Sequence, residues 1–166
     1  MPLTDPAADP VAGILIRPAR SDDLPALIAL FAADALGGHG DTCDASALDA
    51  YRAAFDAIAA DPRGGLYAAE LDGRVVGTFQ LILVRSLPGR GALRAFLEAV
   101  QVDEALRGRR IGEAMVRFAM AEAGRAGAQS LALTSNKVRT DAHRFYRRLG
   151  FASSHEGFKI ALPPNG

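Results

Sequence analysis

The chain has 166 residues, of which 49% are hydrophobic and 23% are charged, a composition typical of a folded globular domain. Its 19 Lys and Arg residues balance its 19 Asp and Glu residues, so we expect no nucleic-acid partner. No apolar run approaches the roughly 18–20 residues that cross a bilayer, so we expect no membrane partner either. The single cysteine, Cys43, excludes an intramolecular disulfide and indicates a reducing, cytoplasmic setting.

The first part of the chain predicts a short strand and two helices. Residues 1–13 are rich in Pro, Ala and Asp and predict a flexible tail, followed by a single domain over 14–166. Alternation of apolar and polar residues predicts a strand at Ile14–Ala19. Helical spacing predicts a helix that begins after the N-cap Ser21 and a second helix over about 45–60.

The pattern then changes to the period of strands, with an Asp72-Gly73 pair that is typical of a hairpin turn. The further elements are predicted in the order strand, strand, strand, helix, strand, helix, strand, strand, at Leu66–Leu71, Val75–Val84, Leu93–Val102, Ile111–Ala126, Leu131–Thr134, Thr140–Leu149, Phe151–His155 and Phe158–Leu162. A half rich in hairpins followed by strand–helix–strand units predicts an α/β fold, with a mixed sheet and helices on both faces.

One loop carries the strongest chemical signal. Between the predicted strand ending at Val102 and the helix beginning near Ile111 lie three arginines and a glycine, Arg107, Gly108, Arg109 and Arg110, followed by Gly112 in the helix. Glycine lets a ligand approach the backbone, and the N–H groups of a first helical turn bind anions, so the loop favours a phosphate or pyrophosphate. From the residues alone, a solvated arginine face with a glycine for tight packing remains the alternative.

The loop resembles the acyl-CoA-binding motif of the GNAT superfamily of N-acetyltransferases, Arg/Gln-x-x-Gly-x-Gly/Ala. Arg107 and Gly112 stand at its outer positions, and Arg110 replaces its first glycine. A second segment resembles the family's A-x-x-F-Y-x-x-x-G-F, with these residues in place: Ala142, Phe145, Tyr146, Gly150 and Phe151. The two motifs occur in the family's order and on the expected elements, and the resemblance covers about residues 14–162.

The resemblance implies a mostly antiparallel central sheet that splays open between the strand at Leu93–Val102 and the one at Leu131–Thr134. Acetyl-CoA is the implied cosubstrate, with its pantetheine arm in the splay and its pyrophosphate on the arginine loop. The implied contacts come from the strand, the loop and the second motif: Val100, Gln101, Val102, Arg107, Gly108, Arg109, Arg110, Ile111, Gly112, Glu113, Asn136, Arg139 and Phe145. No metal is expected, since His39, His143 and His155 share no ligand spacing.

Two residues are expected to move protons. The resemblance implies that Tyr146 protonates the departing thiolate, because a phenol with a pKa near 10 stays protonated at neutral pH. Glu98 lies in the otherwise apolar run LEAVQV, and a carboxylate there is costly unless it is hydrogen-bonded or faces a cavity. The family often places a glutamate there to take the proton of the amine. The alternatives are a core aromatic for Tyr146 and an exposed or ion-paired carboxylate for Glu98.

The sequence therefore predicts direct acetyl transfer from acetyl-CoA to a primary amine of a small molecule or a protein. His39, Tyr51 and the Asp41–Asp44 segment are weaker candidates for contact with that acceptor. A non-catalytic acyl-CoA sensor is the alternative, and a thiol-based hydrolase built on Cys43 is a more distant one. The oligomeric state is open, although homodimers are frequent in such folds.

Overall fold

The computed structural model describes residues 11–37 and 39–163. They form two compact units, the first ending at Ala132 and the second beginning at Leu133. Most of the predicted tail lies outside the described residues, and the described part makes a turn in which the N–H of Ile14 donates to the carbonyl of Val11 at 2.9 Å. Among the described residues, no helix is long and apolar enough to cross a membrane.

The first unit is built on a five-stranded sheet. Its strands, which pair in chain order, are β1 (Ile14–Pro18), β2 (Gly64–Leu71), β3 (Arg74–Arg85), β4 (Leu93–Val102) and β5 (Leu131–Ala132). The first three pairings are antiparallel and the last is parallel, which confirms the predicted mixed sheet. Asp72 and Gly73 join β2 to β3 with φ of 50° and 76°, the left-handed conformation that a tight hairpin turn requires.

Four helices of two turns or more accompany the described strands. The first unit contains α1 (Leu24–Ala32), α2 (Leu48–Ala60) and α3 (Ile111–Arg125), and the second contains α4 (Thr140–Arg148). Single 3-10 turns at Ser21–Asp23 and Ala45–Ala47 precede α1 and α2. The expectation that Ser21 caps the first helix was wrong. Asp23 occupies the cap position of α1, and Arg20 occupies that of the preceding 3-10 turn. The N–H of Arg20 donates to the Asp23 carboxylate at 2.7 Å.

Helices cover both faces of the sheet in the first unit. On one face, Leu24 and Ile28 of α1 pack with Phe55 of α2 and with Leu66 of β2. On the other face, the rings of Tyr67 and Phe79 stack at 4.9 Å, and Phe118 of α3 packs edge-on against both.

Gly77 brings α3 close to this second face. A Cβ atom at Gly77 would lie 2.7 Å from the Sδ of Met115, so the absence of a side chain allows close helix–sheet packing.

The C-terminal part of the chain differs from the prediction. Residues 151–163 form no strand, so the two strands expected at Phe151–His155 and Phe158–Leu162 were wrong. The apolar side chains of Phe158 and Ile160 are 93% and 81% exposed. An alternating segment becomes a strand only where a neighbouring strand offers it hydrogen bonds and a surface to cover. The sequence pattern alone does not show whether such a neighbour exists. The strand expected at Leu131–Thr134 is likewise shorter, ending at Ala132.

Candidate active site

A bulge in β4 decides which side chains share one face of the sheet. Gln80 of β3 pairs with Glu98 and Thr78 pairs with Gln101, so Ala99 and Val100 together stand opposite one residue. Ala99 has a φ of 52°, a left-handed conformation that the extra residue of a bulge can adopt. Because paired residues of antiparallel strands point to the same side, Glu98 and Gln101 share one face with Leu66. Strict alternation would have placed them on opposite faces.

The other edge of β4 is only partly paired. β5 pairs with Ala95 and Phe96 and ends at Ala132, so the later residues of β4 have no strand partner on that side within the described part of the chain. The residues predicted for pantetheine binding, Val100, Gln101 and Val102, lie in this stretch. Unpaired strand edges accept an added extended segment through backbone hydrogen bonds.

The arginine loop leads directly into α3. A 3-10 turn at Glu104–Leu106 follows β4, and the Asp103 carboxylate accepts a hydrogen bond from the N–H of Ala105 at 3.0 Å. Gly108 has a φ of 82° and Arg110 a φ of 63°. Arg110 thus adopts the left-handed conformation that glycine reaches without strain, at a cost of about 1–2 kcal/mol for a residue with a side chain.

The start of α3 exposes donors without helical partners. The N–H of Ala114 donates to the carbonyl of Arg110 at 3.0 Å and is the first of the helical pattern. The N–H groups of Ile111, Gly112 and Glu113 precede it, as in the first turn of any α-helix. Such a turn attracts anions through its N–H groups and its dipole.

Charged side chains surround this turn. Arg107 lies 3.6 Å from the carboxylate of Glu104, and Arg109 is exposed. Arg110 donates from Nε to Glu113 at 3.3 Å, and Arg117 donates to the same carboxylate at 3.0 Å. The guanidinium of Arg110, followed by that of Arg117, holds the pKa of Glu113 below its usual range.

A cavity of about 490 Å³ lies where the side of α1 meets the ends of β3 and β4. Its apolar wall comes from α1 and the strand ends, and its charged lining contains Arg74, Arg107, Asp34, Asp103 and Glu104. Gln101 also lines it and donates from Nε2 to Asp34 at 2.7 Å. The sequence analysis did not identify Asp34 or Arg74, because only the bulge and the hairpin bring them beside the end of β4.

The segment between α1 and α2 is held by Tyr51. Its hydroxyl donates to Asp41 at 2.8 Å and accepts from the N–H of Thr42 at 3.1 Å. The Thr42 N–H acts to lower the pKa of Tyr51, but the Asp41 carboxylate and burial outweigh it and raise that pKa. Tyr51 thus has a structural task in this segment, while His39 and Cys43 are exposed.

The second unit contains Tyr146 on α4. Its ring lies 5.0 Å from that of Phe145 and 5.7 Å from that of Phe151. Burial raises the pKa of Tyr146, and the positive charge of Arg139 only partly opposes this rise. The phenol therefore stays protonated across the neutral range, as a proton donor requires.

Asn136, a predicted cofactor contact, is used within the turn that precedes α4. Its side-chain oxygen accepts from the N–H of Val138 at 3.1 Å, and its carbonyl accepts from the N–H of Arg139 at 2.9 Å. Ser135, which the sequence analysis did not identify, has a buried Oγ without a hydrogen-bond partner among the described residues. A buried hydroxyl without a partner is uncommon in proteins and is a candidate for ligand contact.

Comparisons with known proteins identify relatives of this chain. The family model of the GNAT family of acetyltransferases matches residues 25–151. The aminoalkylphosphonate N-acetyltransferase of Salmonella typhimurium strain LT2 is 37% identical over 113 residues, which cover 68% of this chain and 73% of that protein.

Two solved structures are similar over most of the chain. A transcriptional regulator from Bacillus halodurans C-125 is 34% identical with a TM-score of 0.86, covering 90% of this chain and 99% of the other. A protein of Agrobacterium tumefaciens strain C58 assigned as an acetyltransferase is 30% identical with a TM-score of 0.79, covering 89% and 99%.

The chain belongs to the GNAT family. It is an acetyl-CoA-dependent N-acetyltransferase, and its acceptor is an amine. This confirms the predicted fold class and reaction, whereas the alternative of a non-catalytic acyl-CoA sensor finds no support.

Proposed function

We propose that acetyl-CoA binds along the free edge of β4 with its pyrophosphate on the first turn of α3. The observation that carries this proposal is the start of α3, where the N–H groups of Ile111, Gly112 and Glu113 precede the first helical hydrogen bond. The left-handed φ of 63° at Arg110 leads the chain into this turn. Arg107, Gly108, Arg109, Arg110, Ile111 and Gly112 would surround the phosphates. Val100, Gln101 and Val102 would pair with the pantetheine arm.

We propose that Arg139 and Phe145 flank the cofactor, as the family motif implies. The buried hydroxyl of Ser135 supports a further ligand contact in this segment, next to the predicted contact at Asn136. The exposed lone thiol of Cys43 supports a reducing compartment such as the cytoplasm as the place of action.

We propose that Glu98 and Tyr146 move the two protons of the reaction. Glu98 would take a proton from the ammonium of the acceptor through water. The amine nitrogen would then form a bond with the thioester carbonyl carbon, and the carbon–sulfur bond would break. The nitrogen would lose its second proton to water, which would later return a proton to Tyr146. Tyr146 would give its proton to the departing sulfur, and its raised pKa supports this role.

We further propose that the acceptor is a small amine with an anionic group, of the aminoalkylphosphonate kind. The name of the Salmonella relative supports this class. The cavity beside β4 supports it too, because its lining contains both guanidinium and carboxylate groups, which suit a ligand with both charges. Arg74 would pair with the phosphonate, and Asp34 would attract the ammonium.

Acceptor preference tests this class. We expect an aminoalkylphosphonate to give a higher kcat/KM than an alkylamine of the same length, measured by release of free thiol from acetyl-CoA. Arg74→Gln should lower kcat/KM for the phosphonate by roughly 10-fold or more and leave the alkylamine unchanged, since an arginine–phosphonate pair is a charge-assisted hydrogen bond. Arg52→Gln, which alters an exposed arginine of α2, is the matched control. Equal use of both amines would contradict the proposal.

The same assay tests the two proton carriers. Tyr146→Phe keeps the ring but removes the hydroxyl, so turnover should fall by roughly 10–1000-fold with little change in coenzyme A affinity. Glu98→Gln should lower turnover and shift the acidic limb of the pH–rate profile. Full turnover in Tyr146→Phe would assign protonation of the sulfur to water, and an unmoved profile in Glu98→Gln would return Glu98 to a structural role.

A further inference from the structure

Glu113 is an acidic residue in a turn that would bind an anion. Its side chain is 14% exposed and lies between two guanidinium groups. Arg117 donates to Oε1 from Nε at 3.0 Å, and its Nη2 lies 2.9 Å from the same oxygen. Arg110 donates to Oε2 from Nε at 3.3 Å. Both oxygens of Glu113 thus accept hydrogen bonds from Arg110 and Arg117, so Glu113 is poorly placed to contact a phosphate directly.

The contact with Arg110 spans the start of the helix. Arg110 is the cap residue before α3, and Glu113 is the third residue of the helix. Arg110 uses its Nε for Glu113, and a guanidinium has four further N–H donors on its terminal nitrogens. The contact therefore fixes the side chain of Arg110 and leaves donors that can face a phosphate.

We propose that Glu113 is a positioning residue for the cofactor loop. It ties Arg110 to the first turn of α3 and so keeps the left-handed backbone that glycine would adopt unaided, with the N–H groups and the Arg110 donors directed at the phosphates of acetyl-CoA. This inference rests on the proposed cofactor site. It goes beyond that site because it gives an acidic side chain a part in binding an anion.

The direction in which a neutral residue at position 113 changes coenzyme A affinity separates a positioning role from a purely electrostatic one. Removing the negative charge of Glu113 raises the net positive charge beside the phosphates, so charge alone predicts tighter binding of coenzyme A. Loss of a positioning contact predicts weaker binding. A side chain with only a structural role would change thermal stability without changing affinity in the folded protein.

Calorimetric titration of coenzyme A into the full chain provides the measurement. We expect Glu113→Gln to weaken binding by about 3–10-fold, typical of a lost side-chain coupling, with kcat at saturating acetyl-CoA unchanged. Glu122→Gln is the matched control, because Glu122 pairs with Arg125 near the far end of the same helix. Circular dichroism checks the fold of each variant, and Glu113→Ala repeats the test with a truncated side chain.

A double-mutant cycle tests whether Glu113 acts through the backbone of Arg110. In an Arg110→Gly background the backbone needs no tether, so adding Glu113→Gln should change coenzyme A affinity less than 2-fold, far less than in the parent chain. Unchanged or tighter binding in Glu113→Gln would overturn the inference, and so would an undiminished effect in the Arg110→Gly background.

The same titrations distinguish an incorrect cofactor site from an incorrect role for Glu113. If the arginine loop does not bind the phosphates, Arg107→Gln and Glu113→Gln will both leave coenzyme A affinity unchanged. If the loop binds them but Glu113 does not position it, only Arg107→Gln will weaken binding.

Discussion

Two arginine clusters in the first unit place the same side chain in a structural setting and in an exposed setting that we propose for binding. Arg17 of β1 is 13% exposed and donates to Asp23 at 2.7 and 2.9 Å and to Glu70 at 2.8 and 3.0 Å. Arg110 is 58% exposed and donates to one carboxylate at 3.3 Å. A buried guanidinium whose donors are satisfied by its own protein is structural, whereas an exposed one with donors to spare can bind a ligand.

The Arg17 cluster joins three elements of the first unit. Arg17 lies in β1, Asp23 in the turn before α1 and Glu70 in β2. The two carboxylates raise the pKa of Arg17, and Arg17 in turn lowers the pKa of Asp23 against the opposing effect of burial. The cluster therefore fixes the start of α1 against the edge of the sheet.

The largest expected effect comes from breaking this cluster. Asp23→Ala removes one partner of a mostly buried ion pair and the acceptor of the Arg20 N–H, so it should destabilise the fold by about 2–3 kcal/mol in urea unfolding. Coenzyme A affinity of the folded variant should remain unchanged. A loss of affinity without a loss of stability would erase the contrast between the two clusters.

The pH dependence of the unfolding free energy tests the ion pair between Arg17 and Asp23. Because the folded-state pKa of Asp23 is lowered, its stabilising contribution is present above the pKa of an unfolded aspartate, about 3.9, and is lost as pH falls through the lower folded value. Unfolding measured below pH 4 should therefore show a smaller difference between Asp23→Ala and the parent chain than unfolding at pH 7. An equal difference at both pH values would show that the ion pair does not contribute.

A smaller effect, on binding alone, is expected at the exposed cluster. Arg107→Gln removes a donor beside the first turn of α3 and should weaken coenzyme A binding by roughly 10-fold, because charge-assisted hydrogen bonds to phosphate are strong. Its unfolding free energy should stay within about 0.5 kcal/mol of the parent chain, as for most surface substitutions. Gly112→Val, which hinders approach to the backbone, should weaken binding in the same titration. A destabilised Arg107→Gln with normal affinity would make this arginine structural too.

Much of the fold could be predicted because its signals are local. The strand at Leu93–Val102 and the starts of α3 and α4 agree with the structure, since burial on both faces, helical spacing and a glycine after the helix are each contained in a short window. The two C-terminal strands were wrong because alternation indicates an extended segment and does not identify a neighbour to pair with.

Some residues of the candidate site could likewise be predicted from the sequence, and others could not. The residue types of the arginine loop and of Tyr146 follow from two linear motifs, and these sufficed to predict the family and the reaction. The roles of Arg17, Asp34 and Arg74 did not follow, because their partners are Asp23 and Glu70, Gln101, and Asp103, and most of these are distant in the chain.

The sequence by itself determined the order of most elements, the position of the candidate anion-binding loop and the family, because these depend on periodicity and on motifs of a few residues. The tertiary structure alone decided that Glu98 and Gln101 share a face, because a single left-handed residue, Ala99, shifts the alternation of β4. It also decided which arginines are structural and which have donors left over, because burial and the distance to a carboxylate depend on how separate segments pack.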